Sequence, residues 1–187
     1  MIVTTAQIPN IELIDPVVFD DSRGYFFEAY NEQAFTEKLA VTPHFFQDNE
    51  SLSKRRTFRG LHLQRPPCAQ AKLVRVIAGE ILDIELDCRP NSPSFGQHIC
   101  ERISADSKRQ LTIPIGFVHS FQVLTSHCVL NYKVTAPYDK QSEMTVNCLG
   151  PKLAIAWGDN LDIMISDEED SAPSLADFPA DVWEGIE

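Results

Sequence analysis

One stretch of this sequence, residues 58–87, contains three side chains that together suit chemistry on an anion. They are Arg59, His62 and Lys72, which supply a permanently cationic guanidinium, a titratable imidazole and an ammonium. Charged and apolar residues alternate along the stretch with a period of two, as in strands with one dry face and one wet face. We therefore expect the three side chains to project from neighbouring strands into one space. The simpler alternative is a solvated row of cations beside a packed histidine.

A proton-transfer function needs further groups beside the histidine. Neutral imidazole titrates near working pH, so His62 is a candidate base for removing a proton next to a ketone. Charge that develops on the ketone oxygen needs a fixed cation, which Lys72 would supply. Tyr132 is a candidate phenolic acid that returns a proton to the opposite face. This set of residues predicts inversion of a carbon centre without any cofactor.

The elements that must hold these residues are many short strands, separated by Gly and Pro, with little helix. We predict one short helix at residues 32–39 and strands at residues 11–19, 25–30, 45–51, 58–64, 70–76, 80–87, 96–103, 110–113, 117–124, 129–134, 153–157 and 163–166. This pattern is typical of an antiparallel barrel or a jelly roll. The length of 187 residues fits a single all-β domain, residues 1–187, in which residues 171–187 form an acidic tail.

Composition excludes several classes of partner. The net charge of -11 argues against nucleic acid and against anionic membrane surfaces, because both need a basic field on the protein. The sequence has no long uncharged apolar run and no secretory signal pattern at its start, so we expect a cytoplasmic protein. Its five cysteines show no C-x-x-C spacing, which favours free thiols over a disulfide framework or a zinc cluster.

A metal site is the minority hypothesis. His62 and His119 lie on different predicted strands and could converge, but a metal usually takes three protein ligands and no third is evident. The acidic run at residues 167–170 is interpreted as a solvated cap. The sequence contains no P-loop, no dinucleotide-binding glycine motif and no G-x-S-x-G elbow.

Beyond these patterns, the chain resembles a known family, the dTDP-4-dehydrorhamnose 3,5-epimerases of bacterial rhamnose synthesis. The resemblance extends from residue 19 to about residue 173. It is carried by the motifs DSRGYFFE (21–28), FQDNES (46–51), RGLHLQ (59–64), AQAKLVRV (69–76), IPIGFVH (113–119) and YKVT (132–135). These motifs occur in the same order as in the family.

The resemblance implies a cupin-type jelly roll, or double-stranded β-helix, that forms a homodimer and uses neither a metal nor another cofactor. It implies a dTDP-linked 4-keto-6-deoxy sugar as substrate, His62 as base, Tyr132 as acid and Lys72 near the keto oxygen. It implies Tyr138 as the aromatic residue that stacks on thymine. The other implied substrate contacts are Arg23, Glu28, Gln47, Asn49, Arg59, His119 and Glu143. The region around Arg23 is expected to reach the site of the partner subunit.

Four departures from the family pattern affect the pocket. Glu169 stands where the family has the Asp that supports the histidine, and Glu168 stands where it has a Lys that contacts substrate. Ser120 replaces a Gly, and residues 148–151 replace Trp-Asn-Asp-Pro. We therefore keep two alternatives: a mono-epimerase that acts at only one of C3 or C5, and a non-catalytic sugar-nucleotide-binding cupin. A metal-dependent cupin oxygenase or isomerase is a third.

Overall fold

Two facing antiparallel sheets make up most of the structure, a computed structural model that describes residues 1–39, 44–147, 153, 155, 163–178 and 184–186. With strands numbered in chain order, the six-stranded sheet contains, side by side, β1 (Ile2–Thr5), β2 (Glu12–Asp15), β10 (Gln110–Ile113), β7 (Lys72–Ala78), β12 (His127–Val134) and β5 (Gln47–Lys54). The five-stranded sheet contains β13 (Glu143–Val146), β6 (Phe58–Gln64), β11 (Phe117–Val123), β8 (Glu80–Asp87) and β9 (His98–Ser104).

Smaller elements surround the sheets. A separate hairpin is formed by β3 (Phe19–Asp21) and β4 (Gly24–Phe26), and the helices are α1 (Glu32–Lys38), α2 (Asp167–Asp170) and a 3-10 turn at Leu175–Asp177. This architecture confirms the prediction of an all-β fold with a few short helices. Within the described residues, no helix is both long enough and apolar enough to cross a membrane.

Strand alternation determines which residues face the space between the sheets. On β8, Ile81 packs into the cluster between the sheets, whereas Leu82, Ile84 and Leu86 pack on the outer face of the five-stranded sheet. The C-terminal segment covers that outer face with residues such as Ile165. By the same period of two, the odd-numbered acidic residues of β8 point inward with Ile81.

The helix α1 covers the outer face of the six-stranded sheet. Asn31 caps its first turn by accepting a hydrogen bond from the Ala34 backbone N–H. Phe35 is buried on its inner side and contacts the Tyr30 ring edge to face. The helix therefore turns one apolar side to the sheet, as a short amphipathic helix must.

Most of the predicted strands are present, with ends displaced by a few residues. The predicted strand at 11–19 is divided into β2 and β3, since Pro16 cannot donate to a ladder. The predicted strand at 25–30 stops at Phe26, and the one at 163–166 is only an isolated bridge between Met164 and Thr57. Strands β1 and β13, each four residues long, were not predicted. The predicted strand at 153–157 and the motif at 148–151 lie largely outside the described residues.

The turn at Gly79 passes the chain from one sheet to the other. Its φ of +84° is unfavourable for other residues, and a Cβ there would lie 2.2 Å from the His127 carbonyl oxygen. Strand β7 therefore belongs to the six-stranded sheet and β8 to the five-stranded sheet. This corrects one prediction: His62 and Lys72 project from facing sheets, not from neighbouring strands of one sheet.

Candidate functional site

A cavity of about 290 Å³ lies between the two sheets near one end of the sandwich. Its wall combines residues of both sheets with Gln70 and Tyr138 from connecting segments and Glu169 of α2. The lining residues are Ser51, Arg59, Gly60, His62, Leu63, Gln64, Gln70, Lys72, His119, Phe121, Leu130, Tyr132, Tyr138, Glu143 and Glu169. Eight of the twelve predicted site residues are among them.

A β-bulge lets Arg59 and His62 share the cavity although they are three residues apart. Strict alternation would place them on opposite faces of β6. In the pairing with β11, His62 lies opposite His119 and Arg59 opposite Phe121, so three steps on β6 match two on β11. The extra residue turns both side chains toward the same space.

His62 has a hydrogen-bond partner at each ring nitrogen. Its Nε2 lies 3.3 Å from Glu169 Oε1, and its Nδ1 lies 3.1 Å from Thr145 Oγ1. A carboxylate only accepts, so Nε2 carries the proton in the neutral ring, and Nδ1, which accepts from the Thr145 hydroxyl, is the basic nitrogen. The side chain is 33% exposed, which leaves the imidazole within reach of a ligand in the cavity.

Glu169 is fixed by the helix that carries it and is buried, although residues 167, 168 and 170 are exposed as the interpretation of a solvated cap predicts. Ser166 and Glu169 form a capping box, with Oε2 accepting from the Ser166 N–H at 2.7 Å and from its hydroxyl at 2.9 Å. The Gly60 N–H donates to Oε1, and a Cβ on Gly60 would lie 2.9 Å from the Glu169 side chain. Glycine at position 60 thus permits the carboxylate to approach β6.

The hydrogen bonds to Glu169 outweigh the effect of its burial. Burial raises the pKa of this carboxyl, but donors from His62, Gly60 and Ser166 lower it to about 2. Glu169 is therefore ionised throughout the neutral range and presents a fixed negative charge to the imidazole. The longer side chain at this position reaches His62, which the sequence left open.

Lys72 and Tyr132 lie on the wall opposite His62. In the β7–β12 ladder Tyr132 is opposite Val74 and Lys72 opposite Val134, so the two side chains are diagonal neighbours on one face. Burial lowers the pKa of the Lys72 ammonium to about 8, and nearby carboxyl groups, chiefly Asp83 and Glu143, oppose that shift. Burial also raises the pKa of the Tyr132 phenol, so it stays protonated at neutral pH.

His119 belongs to a second histidine–carboxylate pair, deeper than the first. Its Nε2 lies 2.7 Å from Asp83 Oδ1, and both side chains are almost fully buried. Burial is the main cause that lowers the pKa of His119, so the imidazole is neutral. His62 and His119, the pair behind the minority metal hypothesis, are thus adjacent across two strands, but each ring binds its own carboxylate.

Asp83 and Glu85 were missed as site residues, although the sequence contains a signal for them. Asp83, Glu85 and Asp87 recur at period two in a strand whose intervening residues are all aliphatic. The pattern places these acids on one face of the strand, which would ordinarily be solvated, and the structure shows that this face is buried. The S-x-x-E spacing of Ser166 and Glu169 was a second missed signal, because it is the sequence signature of a capping box.

At the mouth of the cavity, Tyr138 donates its hydroxyl hydrogen bond to Glu143 Oε2 at 2.7 Å. Tyr138 is 58% exposed, so its ring offers a free face to an aromatic ligand. Its pKa is raised by the hydrogen bond to Glu143, with a smaller contribution from the nearby charge of Glu168. Glu168 itself is exposed beside the mouth.

Four predicted site residues do not line the cavity. Gln47 and Asn49 lie on the inward face of β5 and hydrogen-bond to each other at 2.7 Å. Arg23 is at the tip of the β3–β4 hairpin, where its only described ion pair is with Asp21. Glu28 follows the hairpin and accepts from the Asn31 amide. Their roles remain expectations from the family resemblance.

Comparison with protein families identifies a matching family model, dTDP-4-dehydrorhamnose 3,5-epimerase, over residues 5–177. A relative from Salmonella typhimurium, dTDP-4-dehydrorhamnose 3,5-epimerase, is 42% identical over 175 residues. That alignment covers 94% of this chain and 96% of the relative.

Solved structures show the same fold. The dTDP-6-deoxy-D-glucose-3,5-epimerase from Legionella pneumophila, in complex with dTDP-4-keto-L-rhamnose, has a TM-score of 0.92 and 37% identity, covering 96% of this chain and 95% of that one. A 3'-monoepimerase from Streptomyces bikiniensis, in complex with dTDP-quinovose, has a TM-score of 0.87 and 30% identity, covering 92% and 87%. These matches confirm the cupin-type jelly roll.

Proposed function

The chain belongs to the dTDP-4-dehydrorhamnose 3,5-epimerase family, and from that premise we propose how its cavity carries out the reaction. It is an isomerase that acts on a dTDP-linked 4-keto-6-deoxyhexose at C3 and C5. These carbons flank the C4 ketone, so a proton on either is acidified by the same carbonyl. One base, one acid and one stabilising cation are then sufficient for both inversions.

His62 removes the proton. Its Nδ1 takes the hydrogen from C3 or C5, and the electron pair of the C–H bond moves into the enolate, leaving negative charge on the C4 oxygen. The ionised Glu169 stabilises the imidazolium through Nε2–H, as an orienting carboxylate does in other acid–base pairs. Thr145 yields its hydrogen bond at Nδ1 when substrate enters.

Lys72 and Tyr132 complete the step from the other wall. The Lys72 ammonium stabilises the enolate oxygen in a site with little water, where a fixed charge is most effective. Tyr132 then donates its phenolic proton to the face opposite His62, and exchange with solvent resets both groups. A single observation carries this proposal. The base projects into the cavity from one sheet, and the acid and the cation project into it from the facing sheet.

The test is turnover of thymidine-linked 4-keto-6-deoxyglucose in deuterated water, followed by magnetic resonance. We expect deuterium at both C3 and C5, with product stereochemistry inverted at both. Label and inversion at one carbon only would assign the chain to the mono-epimerases, such as the Streptomyces relative. Tight binding of the nucleotide sugar with neither label nor inversion would instead favour a non-catalytic binder.

Tyr132→Phe separates the acid from the base. The variant keeps its ring in place and keeps His62, so proton exchange with solvent should continue while net inversion falls by about a hundredfold or more. The measurement is the ratio of deuterium incorporation to inverted product. Equal losses of exchange and inversion would contradict the division of roles between Tyr132 and His62.

We also propose that the nucleotide end lies at the mouth and that two copies of the chain complete it. Tyr138 offers a stacking face, and Arg59 offers a guanidinium suited to a diphosphate. The β3–β4 hairpin exposes Phe19, Phe26 and the Arg23 guanidinium, which suits a segment that contacts a partner subunit.

Light scattering should show a dimer in solution, and we expect that dimer in the cytoplasm. Arg23→Ala should raise KM for the dTDP sugar with little change in kcat, because it removes binding without touching the reacting atoms. A monomer with full activity would contradict the proposed dimer.

A further inference from the structure

The acidic face of β8 contains two carboxyl groups that the mechanism does not use fully. Asp83 and Glu85 are both 0% exposed, and each offers a carboxylate oxygen within 4.8 Å of the other and of a His119 ring nitrogen. Among the described residues, Glu85 has no hydrogen-bond partner at either oxygen, and Asp83 has none at Oδ2. Two fully buried carboxylates this close repel each other strongly, and an unpartnered one is costly.

On the strands packed around Asp83 and Glu85, the described residues supply too little positive charge to balance two carboxylates. Lys72 on β7 is the nearby cation, and His119 on β11 is neutral. From β9, Glu101 lies directly opposite Asp83 and adds negative potential, as does Glu143 on β13 near Lys72. Other titratable neighbours are the His62 imidazole on β6, opposite His119, and two thiols. The thiols are Cys128 on β12 and Cys100 on β9, and burial is the main cause that raises their pKa values.

One proton would remove most of this cost. If one carboxyl group is neutral, its O–H can donate a hydrogen bond to an oxygen of the other. Asp83 is the one that must stay anionic, because Oδ1 accepts from His119 Nε2 and the group faces Lys72. In the part of the chain that the structure describes, no donor stabilises a negative charge on Glu85.

We propose that Glu85 is protonated at neutral pH and that its O–H donates a hydrogen bond to Asp83 Oδ2. Glu85 is then a positioning residue for the buried side of the site. The Asp83 carboxylate is then held between two donors, Glu85 and His119, and its charge is directed to Lys72. In this arrangement Glu85 supports the cation of the proposed mechanism without adding a second negative charge beside it. Burial, followed by the charge of Asp83, raises the pKa of Glu85 well above its usual value, in agreement with this assignment.

Infrared spectroscopy of the wild-type protein tests the proton directly and does not depend on the proposed function. In deuterated buffer at neutral pH, the spectrum should contain the carbonyl band of a protonated carboxylic acid, and Glu85→Gln should lack it. Glu101→Gln is the matched control on the neighbouring strand β9 and should keep the band. Absence of the band from the wild-type protein, or its persistence in Glu85→Gln, would overturn the proposal even if the variant is unstable.

Kinetics test the positioning role and rest on the proposed function. Glutamine can still donate to Asp83, whereas leucine at position 85 cannot, so Glu85→Leu should lower kcat by about tenfold to a hundredfold and Glu85→Gln should recover most of that loss. KM should change little in either variant.

The pH profile distinguishes a neutral Glu85 from an ionised one. Removing a real negative charge near Lys72, as in Asp83→Asn, should move the alkaline limb of kcat/KM to lower pH by about one unit. Glu85→Gln removes no charge if Glu85 is already neutral, so its limb should stay where it is in the wild-type enzyme. A shift in Glu85→Gln as large as in Asp83→Asn would overturn the proposal.

Elemental analysis of the purified protein is the last arm. A stoichiometric divalent metal that disappears in Glu85→Gln would mean that the two carboxyl groups share a cation rather than a proton. Protein without such a metal, together with the infrared band, supports the shared proton. The infrared result stands even if the protein proves inactive on dTDP sugars, so the two proposals can fail separately.

Discussion

Two histidine–carboxylate pairs lie side by side across β6 and β11, and they differ in nearly every physical respect. In the outer pair, His62 is 33% exposed and Glu169 8% exposed. In the inner pair, His119 is 8% exposed and Asp83 is completely buried. The outer distance is 3.3 Å and the inner distance is 2.7 Å. The two histidines are nevertheless directly opposite each other in the ladder between β6 and β11.

The difference shows how similar residue pairs acquire different roles. Three donors besides His62 bind Glu169, so both oxygens of the outer carboxylate accept hydrogen bonds and the group stays ionised at neutral pH. Its imidazole can reach a ligand and return a proton to solvent. Asp83 has an unpartnered oxygen and a neighbouring acid, and its imidazole is sealed from water. The outer pair is suited to proton transfer, and the inner pair is suited to setting the electrostatic potential around Lys72.

The largest expected effect is the contrast between His62→Ala and His119→Asn. Loss of the base should lower kcat/KM by about a thousandfold and abolish deuterium exchange at C3 and C5. His119→Asn should keep exchange measurable, because asparagine can still donate to Asp83. Enzyme turnover and solvent label would be measured for both variants. Equal losses would contradict the separation of roles, and a larger loss in His119→Asn would reverse it.

The second effect concerns acid stability, where the outer carboxylate should dominate. Glu169 has its pKa lowered from 4.5 to about 2, so its stabilisation is present above pH 4.5 and is lost as pH falls toward about 2. We expect about 3 kcal/mol of unfolding free energy to disappear over that window in the wild-type protein. Urea unfolding at several pH values should show that Glu169→Gln lacks this loss.

In the same unfolding experiment, the contribution of the inner region to the unfolding free energy should change with pH in the opposite direction. Burial raises the pKa of Glu85, so its contribution is present below pH 4.5 and is lost as pH rises toward the folded-state value. Relative to the wild-type protein, Glu85→Gln should therefore gain stability as pH increases. The same sign of slope for both variants would contradict the assigned protonation states.

The third effect is a fall in kcat/KM at alkaline pH, which depends on both regions. The Lys72 ammonium has a pKa lowered by burial to about 8, and it is cationic below that pH. We expect kcat/KM to fall about tenfold per pH unit above it, since the enolate loses its cation. Lys72→Arg is the matched variant: its guanidinium does not titrate in this range, so any residual activity should lack the limb. A limb unchanged in Lys72→Arg would assign it to another group.

How far the sequence predicts this site depends on whether a residue acts through local pattern or through tertiary geometry. Alternation and residue chemistry were enough to select His62, Lys72 and Tyr132 and to predict an all-β fold. They could not reveal that β7 and β8 belong to opposite sheets, or that a bulge aligns Arg59 with His62, because both depend on pairing across the chain. The inward acids of β8 were visible as a pattern, but only burial shows that they lack partners.

The smallest expected effect comes from Glu168, an exposed residue whose charge acts on Tyr138. Next to the mouth, its carboxylate opposes a bound diphosphate, but water and salt screen an exposed charge. Glu168→Lys should therefore lower KM for the dTDP sugar by only about fivefold, with kcat unchanged. The gain should shrink as ionic strength rises, whereas the effects of the partly buried Lys72 and the fully buried Asp83 should depend less on salt. A salt-independent gain would mean that Glu168 contacts the ligand directly, and no gain would place the diphosphate away from α2.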